Sequence, residues 1–181
     1  MTTIERDTRE TRIRVALVGE ASAAGIDTSV PFLDHMLLTL ARYGGIGLSV
    51  SARGDLPHHI IEDVAICVGK AVAVYAPASC ARYGDRTIPM DDALVHCALD
   101  LGGRAYYAGA LPSNLYDHWM RSFAENAGAT LHVRVLGGRD RHHIVEAAFK
   151  ALGLALAEAL QVGEPNAVFS TKGAAALRVD P

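Results

Sequence analysis

Two stretches frame the chemical question: "HHIIED" at His58–Asp63 and "HHIVEAAFK" at His142–Lys150. In each, a histidine stands four positions before a glutamate. Residues four apart on a helix share a face, so His58 with Glu62 and His142 with Glu146 form ready pairs of metal ligands. The adjacent His59 and His143 point roughly 100° round the helix and cannot comfortably reach the same ion. Each helix therefore serves two ions. By symmetry one ion takes His58, Glu62, His143 and a further imidazole, and the other takes His142, Glu146, His59 and a further imidazole. The missing donors come from a second repeated element, "DHM" at Asp34–Met36 and "DHW" at Asp117–Trp119, which supplies His35 and His118.

Six of the chain's 8 histidines are thus engaged, three imidazoles and one carboxylate per ion. That ligation suits manganese, iron or zinc and lacks the soft sulfur that selects copper(I) or an iron–sulfur cluster. Four protein ligands on an ion that prefers six leave positions open for a ligand with its own nitrogens, unlike a closed structural zinc site. His96 and His132 fall on strand patterns without partners and read as hydrogen-bonded strand histidines.

The elements that must position these donors also repeat. A strand in "TRIRVALVG" precedes a helix in "PFLDHMLLTLARYGG", a strand in "IGLSVSA" and a helix in "PHHIIEDVAICVGKAVAVY", whose Pro57 is tolerated in the first turn. After a turn-rich link, "CARYGDRTIPM", come strands in "ALVHCALDL" and "RAYYAGAL", a helix in "NLYDHWMRSFAENAG", a strand in "ATLHVRVLG" and a helix from His142 to about Leu160. His35 precedes His58 by 23 positions and His118 precedes His142 by 24, which marks an internal duplication. The expected fold class is α+β: one domain, 1–181, of two β-α-β-α halves (about 1–84 and 85–181), with mixed sheets and helices on one side of each.

Bulk properties restrict the partners. Lysine plus arginine is 17 against 20 acidic residues, without a run of like charge, which excludes a nucleic-acid groove and a polybasic membrane surface. The apolar run "ALGLALAEAL" is too short to span a bilayer, and the charged start "MTTIERDTRETRIR" lacks the apolar core of a signal peptide, so a cytoplasmic protein is expected. Cys67, Cys80 and Cys97 have neither even number nor CxxC spacing, which argues against disulfides and a thiolate metal site.

In order along the chain, "RDTRETRI", "FLDHML", "HHIIEDVAICVG", "RYGDRTIPMDDAL", "DLGGR", "TLHVRVLGGRDRHHIVEAAFK" and "STKG" resemble imidazoleglycerol-phosphate dehydratase over nearly the whole length. The resemblance implies a duplicated α+β fold similar to the second domain of a small-subunit ribosomal protein. It implies a dimanganese (two Mn2+) hydro-lyase of histidine biosynthesis that converts imidazole glycerol phosphate, a small phosphorylated imidazole, to imidazole acetol phosphate. It also implies a large homo-oligomer, a 24-mer built from trimers, with sites completed at subunit contacts. Carried onto matching positions, the family's ligands are His35, His59, His142 and Glu146 for one manganese and His58, Glu62, His118 and His143 for the other. The substrate phosphate falls to Arg82, Arg104, Ser170 and Lys172, whose guanidinium forks, hydroxyl and ammonium suit phosphate oxygens. Lys150 matches a further substrate-binding residue, and Glu10 matches the acid/base glutamate. Two metals on the ring nitrogens would stabilise an imidazolate able to expel the neighbouring hydroxyl, with Glu10 accepting the adjacent carbon's proton.

The chain departs from the family pattern at Tyr43 (usually histidine), Ile60 (threonine), Asp92 (glutamate) and Gly102 (serine), and in a shortened loop before His58. These departures are expected to shape the pocket without touching a metal ligand. Two other readings compete. A dinuclear-metal phosphohydrolase would use the same phosphate site, and an inactive metal-binding shell paralogue would keep the ions without turnover.

Overall fold

The computed structural model describes residues 1–18 and 25–162. The first half contains β1 (Thr2–Asp7), β2 (Thr11–Val18), β3 (Ile26–Asp27), α1 (Pro31–Gly44), β4 (Gly47–Gly54) and α2 (Pro57–Tyr75). The second contains β5 (Tyr83–Met90), β6 (Ala93–Leu101), β7 (Tyr106–Ala108), α3 (Asn114–Ala127), β8 (Ala129–Gly137) and α4 (Arg141–Ala159). Two four-stranded sheets result, ordered β1-β2-β4-β3 and β5-β6-β8-β7. In each, a parallel pair at one edge joins strands that are otherwise antiparallel, so the sheets are mixed and the duplication is complete in topology.

Alternation along β2, with Ile13, Val15 and Leu17 buried between exposed Arg12 and Arg14, gives that sheet one face for helices and one for water. The fold class is therefore the expected α+β, with helices on one side. Absent from the sequence reading were the two-residue β3, which fell in an expected loop, and the longer β1 and β5. The longer two are edge strands with mostly exposed residues, so their polar sequences carry no apolar alternation to announce them.

Local signals set the helices. Pro31 and Pro57 stand in the first turns of α1 and α2, where a missing N–H costs no intrahelical bond. Gly45 and Gly128 end α1 and α3 in the left-handed region, at φ 62° each. At the start of α4, Asp140 caps the His142 N–H at 2.7 Å.

The helices pair across the repeat: α2 packs on α3, and α4 packs on α1. One repeated residue makes both contacts close. A Cβ at Gly69 would lie 2.6 Å from the Phe123 carbonyl oxygen, and one at Gly153 would lie 3.0 Å from the Leu40 carbonyl oxygen. Each glycine stands eleven positions after the first histidine of its HH pair. Trp119 on α3, fully buried, stacks on Phe123 and meets Phe149 of α4 with ring centroids 4.6 Å apart, tying the two helix pairs into one core.

Candidate functional site

The cross-repeat helix pairs bring the expected donors into two groups. In one, His35 from α1 and His142 from α4 approach the same Glu146 oxygen, Nε2 to Oε2, at 3.2 and 3.1 Å. In the other, His118 from α3 lies 3.3 Å from Glu62 Oε1, while His58 from α2 lies 3.6 Å from Glu62 Oε2. Within each group the three ligand atoms lie within 4.8 Å of one another. The paired rings stack, with centroids 6.2 Å apart for His35 and His142 and 5.7 Å for His58 and His118. Phe32 of α1 touches both His142 and Tyr116 of α3, so the beginnings of helices from both halves converge at one end of the molecule.

The donor chemistry fits a divalent cation. Each group offers two imidazoles and a carboxylate, and His118 Nε2, a buried atom 3.3 Å from Glu62 Oε1, makes no hydrogen bond among the described residues. A buried polar atom left unpaired costs about 1–3 kcal/mol, a cost that a bound ion would remove. Asp34 and Asp117, which precede His35 and His118, anchor the loops entering their helices. Asp34 Oδ1 accepts from the Thr28 N–H at 2.8 Å and its hydroxyl at 2.5 Å; Asp117 Oδ1 accepts from the Leu111 N–H at 2.9 Å and the Tyr107 hydroxyl at 2.7 Å. The repeated DH element thus couples a loop anchor to a donor.

The two groups differ electrostatically. Burial pushes the Glu146 carboxyl up, but Lys150 at 3.0 Å and His35 together hold it below the usual carboxylate range. Lys150 Nζ also lies 3.3 Å from Met90 Sδ and 5.8 Å from the centre of the Tyr43 ring. Tyr43, Arg42, Glu146, His35 and Lys150 line a cleft of about 290 Å³. The aligned position after Glu62 carries Ile66 in place of a lysine.

His59 and His143 fall outside both groups in the chain. Each ring is nearly perpendicular to that of its neighbour, His58 or His142, with centroids 5.9 Å apart. Each is held at Nδ1 by a carboxylate oxygen at 2.8 Å, Asp55 for His59 and Asp92 for His143. These hydrogen bonds raise both imidazole pKa values, while His143 and the backbone N–H groups of Arg139 and Asp140 hold Asp92 well below the carboxylate range. Nδ1 so engaged leaves Nε2 as the ligating atom, the arrangement that orients metal-bound histidines. The sequence reading missed both carboxylates. Asp55 had a signal, its i,i+4 spacing to His59, whereas Asp92 is 51 residues from His143 and reaches it only through the β5–β6 turn. Contrary to the expectation for the departures, Asp92 does touch a proposed ligand. Ile60 is buried core, and a Cβ on Gly54 would press on it at 2.9 Å.

Glu10, in the β1–β2 turn, is exposed, with Oε2 3.7 Å from His59 Nδ1. Arg82, at φ 71°, is forked onto Asp100 at 2.5 and 3.0 Å, and the Arg104 carbonyl accepts from Thr130 at 2.7 Å. Arg82 immediately precedes β5, and Asp91 and Asp92 follow it. The strand therefore separates Arg82 from the His143 end by about 23 Å. Ser170 and Lys172 lie outside the described residues. His96 is hydrogen-bonded to Thr87 at 2.8 Å, and Cys67 and Cys97 are buried free thiols, with burial pushing Cys67 up to about 11. Among the described residues, no helix is long and apolar enough to cross a membrane.

Comparison with known proteins gives a consistent result. The sequence profile described as imidazoleglycerol-phosphate dehydratase matches residues 28–156. The protein of that name from Desulforudis audaxviator is 44% identical, covering 94% of this chain and 95% of its own. Its namesake from Pyrobaculum calidifontis is 46% identical, covering 93% and 96%. The crystal structure of the Pyrococcus furiosus dehydratase superposes with a TM-score of 0.84 at 37% identity, covering 94% of this chain and 99% of that one. The Staphylococcus aureus dehydratase gives 0.80 at 30%, covering 89% and 98%.

Proposed function

Because this chain belongs to the imidazoleglycerol-phosphate dehydratase family, we propose that it removes water from imidazole glycerol phosphate to give imidazole acetol phosphate, as a cytoplasmic hydro-lyase of histidine biosynthesis. The observation that carries the reading is the pair of His/His/Glu groups, each assembled from both halves of the repeat. Imidazole and carboxylate donors without sulfur suit Mn2+. His35, His142 and Glu146 would hold one ion and His58, Glu62 and His118 the other, with His59 and His143 as the fourth ligands. Two such ions would supply Lewis acidity to the substrate's imidazole ring.

The remaining work falls to side chains. Glu10 takes the proton from the carbon next to the one that bears the departing hydroxyl and returns it to that hydroxyl, which leaves as water, and the enol so formed moves its remaining hydroxyl proton to carbon to give the ketone. Arg82, Arg104, Ser170 and Lys172 would cradle the phosphate, and Lys150 would contact the substrate beside Glu146. A substrate roughly 10 Å long cannot bridge the ~23 Å that separate Arg82 from the His143 end of β5. A complete site therefore draws its phosphate ligands and its fourth metal ligands from neighbouring copies, in keeping with a homo-oligomer, a 24-mer built from trimers. Incubating protein and Mn2+ with imidazole glycerol phosphate tests the proposal. Ketone formation without free phosphate is expected; phosphate release would favour a phosphohydrolase, and metal uptake without turnover an inactive shell protein.

A further inference from the structure

The two repeats differ where their hairpins meet their HH helices. In the second half the β5–β6 turn spends its carboxylate on structure: Asp92 binds His143 and two backbone N–H groups. In the first half the Glu10 side chain makes no hydrogen bond among the described residues and approaches only His59, at 3.7 Å, and the anchoring role passes to another residue. Asp63, 8% exposed, stands beside Glu62 on α2, where the second repeat has Ala147. It accepts a hydrogen bond from the Thr11 hydroxyl and pairs with Arg6 of β1 at 2.9 Å. Thr11, 3% exposed, follows Glu10 directly. The Thr8 hydroxyl accepts from the Glu10 N–H at 3.1 Å and the Thr11 N–H at 2.9 Å, and the Glu10 carbonyl accepts from Asp55 N–H at 3.1 Å. The backbone of Glu10 is thus fixed on both sides, and the hairpin tip is bolted to the helix that carries His58, His59 and Glu62.

We infer that Asp63, acting through Thr11, is a positioning residue that sets the Glu10 carboxylate against His59. The inference rests on the reading of Glu10 as the proton acceptor. A buried carboxylate on a helix is costly unless paired, and here its two partners both belong to the hairpin that presents Glu10. A hairpin tip held only by its own turn would leave an exposed glutamate free to wander. Mounting it on α2 keeps proton acceptor and imidazole donors in one rigid unit, where a displacement of about 1 Å costs up to ~100-fold in rate.

The test is a double-mutant cycle on the Mn2+-loaded enzyme with imidazole glycerol phosphate. Thr11→Val, which removes the hydroxyl and keeps the shape, should lower kcat roughly 10- to 100-fold with little change in KM. Thr11→Ser, which keeps the hydroxyl, should restore most of the activity, and Asp63→Asn should fall between. Manganese content and oligomer size should match the parent throughout. In a Glu10→Gln background, Thr11→Val should cost less than about twofold more, because its effect runs through the missing carboxylate. An equal loss in both backgrounds, or loss of manganese along with activity, would overturn the inference and make Asp63 a general brace for α2. If Glu10→Gln alone leaves kcat unchanged, the reading of Glu10 fails first, a result distinguishable from the others, and the inference falls with it.

Discussion

Gly69→Ala tests whether the α2–α3 contact sets the geometry of a donor group. The added Cβ would meet the Phe123 carbonyl oxygen at 2.6 Å and the Ala127 nitrogen at 3.0 Å, both backbone atoms that no rotamer change can move aside. Helix α3 must then back away by about 0.8 Å to reach ordinary contact, a strain of about 1–3 kcal/mol. The better helix propensity of alanine returns up to ~1 kcal/mol, so that strain in the upper part of that range, as two rigid backbone contacts imply, leaves a net loss of about 1–2 kcal/mol. For a chain of this size that lowers the Tm by roughly 2–8 °C. His118 rides on α3 at 3.3 Å from Glu62, so the displacement opens that group and leaves His35, His142 and Glu146 in place. Calorimetric unfolding of metal-free protein, followed by Mn2+ titration, should show the Tm loss and one of two classes of site weakened. Gly153→Ala, with its Cβ 2.9 Å from Tyr43 Cβ and 3.0 Å from the Leu40 carbonyl oxygen, should weaken the other class. Gly45→Ala, at φ 62° with no atom within 4 Å, should cost stability through backbone strain alone and spare both sites. An unchanged Tm for Gly69→Ala, or equal weakening of both sites by either helix variant, would refute the idea that these contacts register the donors.

Other consequences can be checked directly. Glu10→Gln should lower kcat by roughly 10²- to 10⁴-fold without changing manganese content, measured by metal analysis and steady-state turnover. Asp34→Ala leaves the backbone N–H of the fully buried Thr28 without its acceptor and its hydroxyl with only the longer bond to the Val30 carbonyl at 3.3 Å, and should cost about 1–3 kcal/mol in denaturant unfolding. The Asp92–His143 pair should stabilise metal-free protein only between two limits. The pair's contribution is lost as pH falls through the depressed Asp92 value and as pH rises through the raised His143 value, so the Tm gap to Asp92→Asn should be widest in mild acid and narrow toward alkaline pH, where only the bonds from the Arg139 and Asp140 N–H groups remain. A gap that stays constant across the His143 titration would contradict that account. Because protons compete for the same imidazole, Mn2+ affinity should fall as pH drops through the raised His143 value, which isothermal titration at several pH values would detect.

Much of the architecture was legible because the duplicated motifs sit on strongly periodic helices. The HH helices α2 and α4 lie where Pro57 and the apolar spacing put them, and the aligned DH elements identified α1 and α3. The edge strands β1 and β5 escaped because "TTIERD" and "YGDRTIPM" are polar and exposed, and backbone pairing with β2 and β6 defines them instead. At the site, spacing paired His58 with Glu62 and His142 with Glu146 and called on His35 and His118 for further donors, while only the family resemblance said which of the two joins which pair. Spacing also turned His59 and His143 away from their neighbours' ions; what it could not show was that neither joins the opposite group within the chain, or that Asp55 and Asp92 hold their Nδ1 atoms. The role of Asp63 was equally hidden: it reads as one more acidic residue on a helix until Thr11 and Arg6 fold against it.

The exchange of helix partners across the repeat carries an ancestral implication. A polypeptide holding a single repeat would own one HH helix and one DH helix that do not pair with each other, and so would possess neither cation-binding set. Two identical copies facing each other about a two-fold axis would recover both sets at once. The present chain is best understood as the tandem fusion of such a symmetric dimer, after which the copies were free to diverge, one keeping an exposed acid at its hairpin tip and the other converting its counterpart into a clamp.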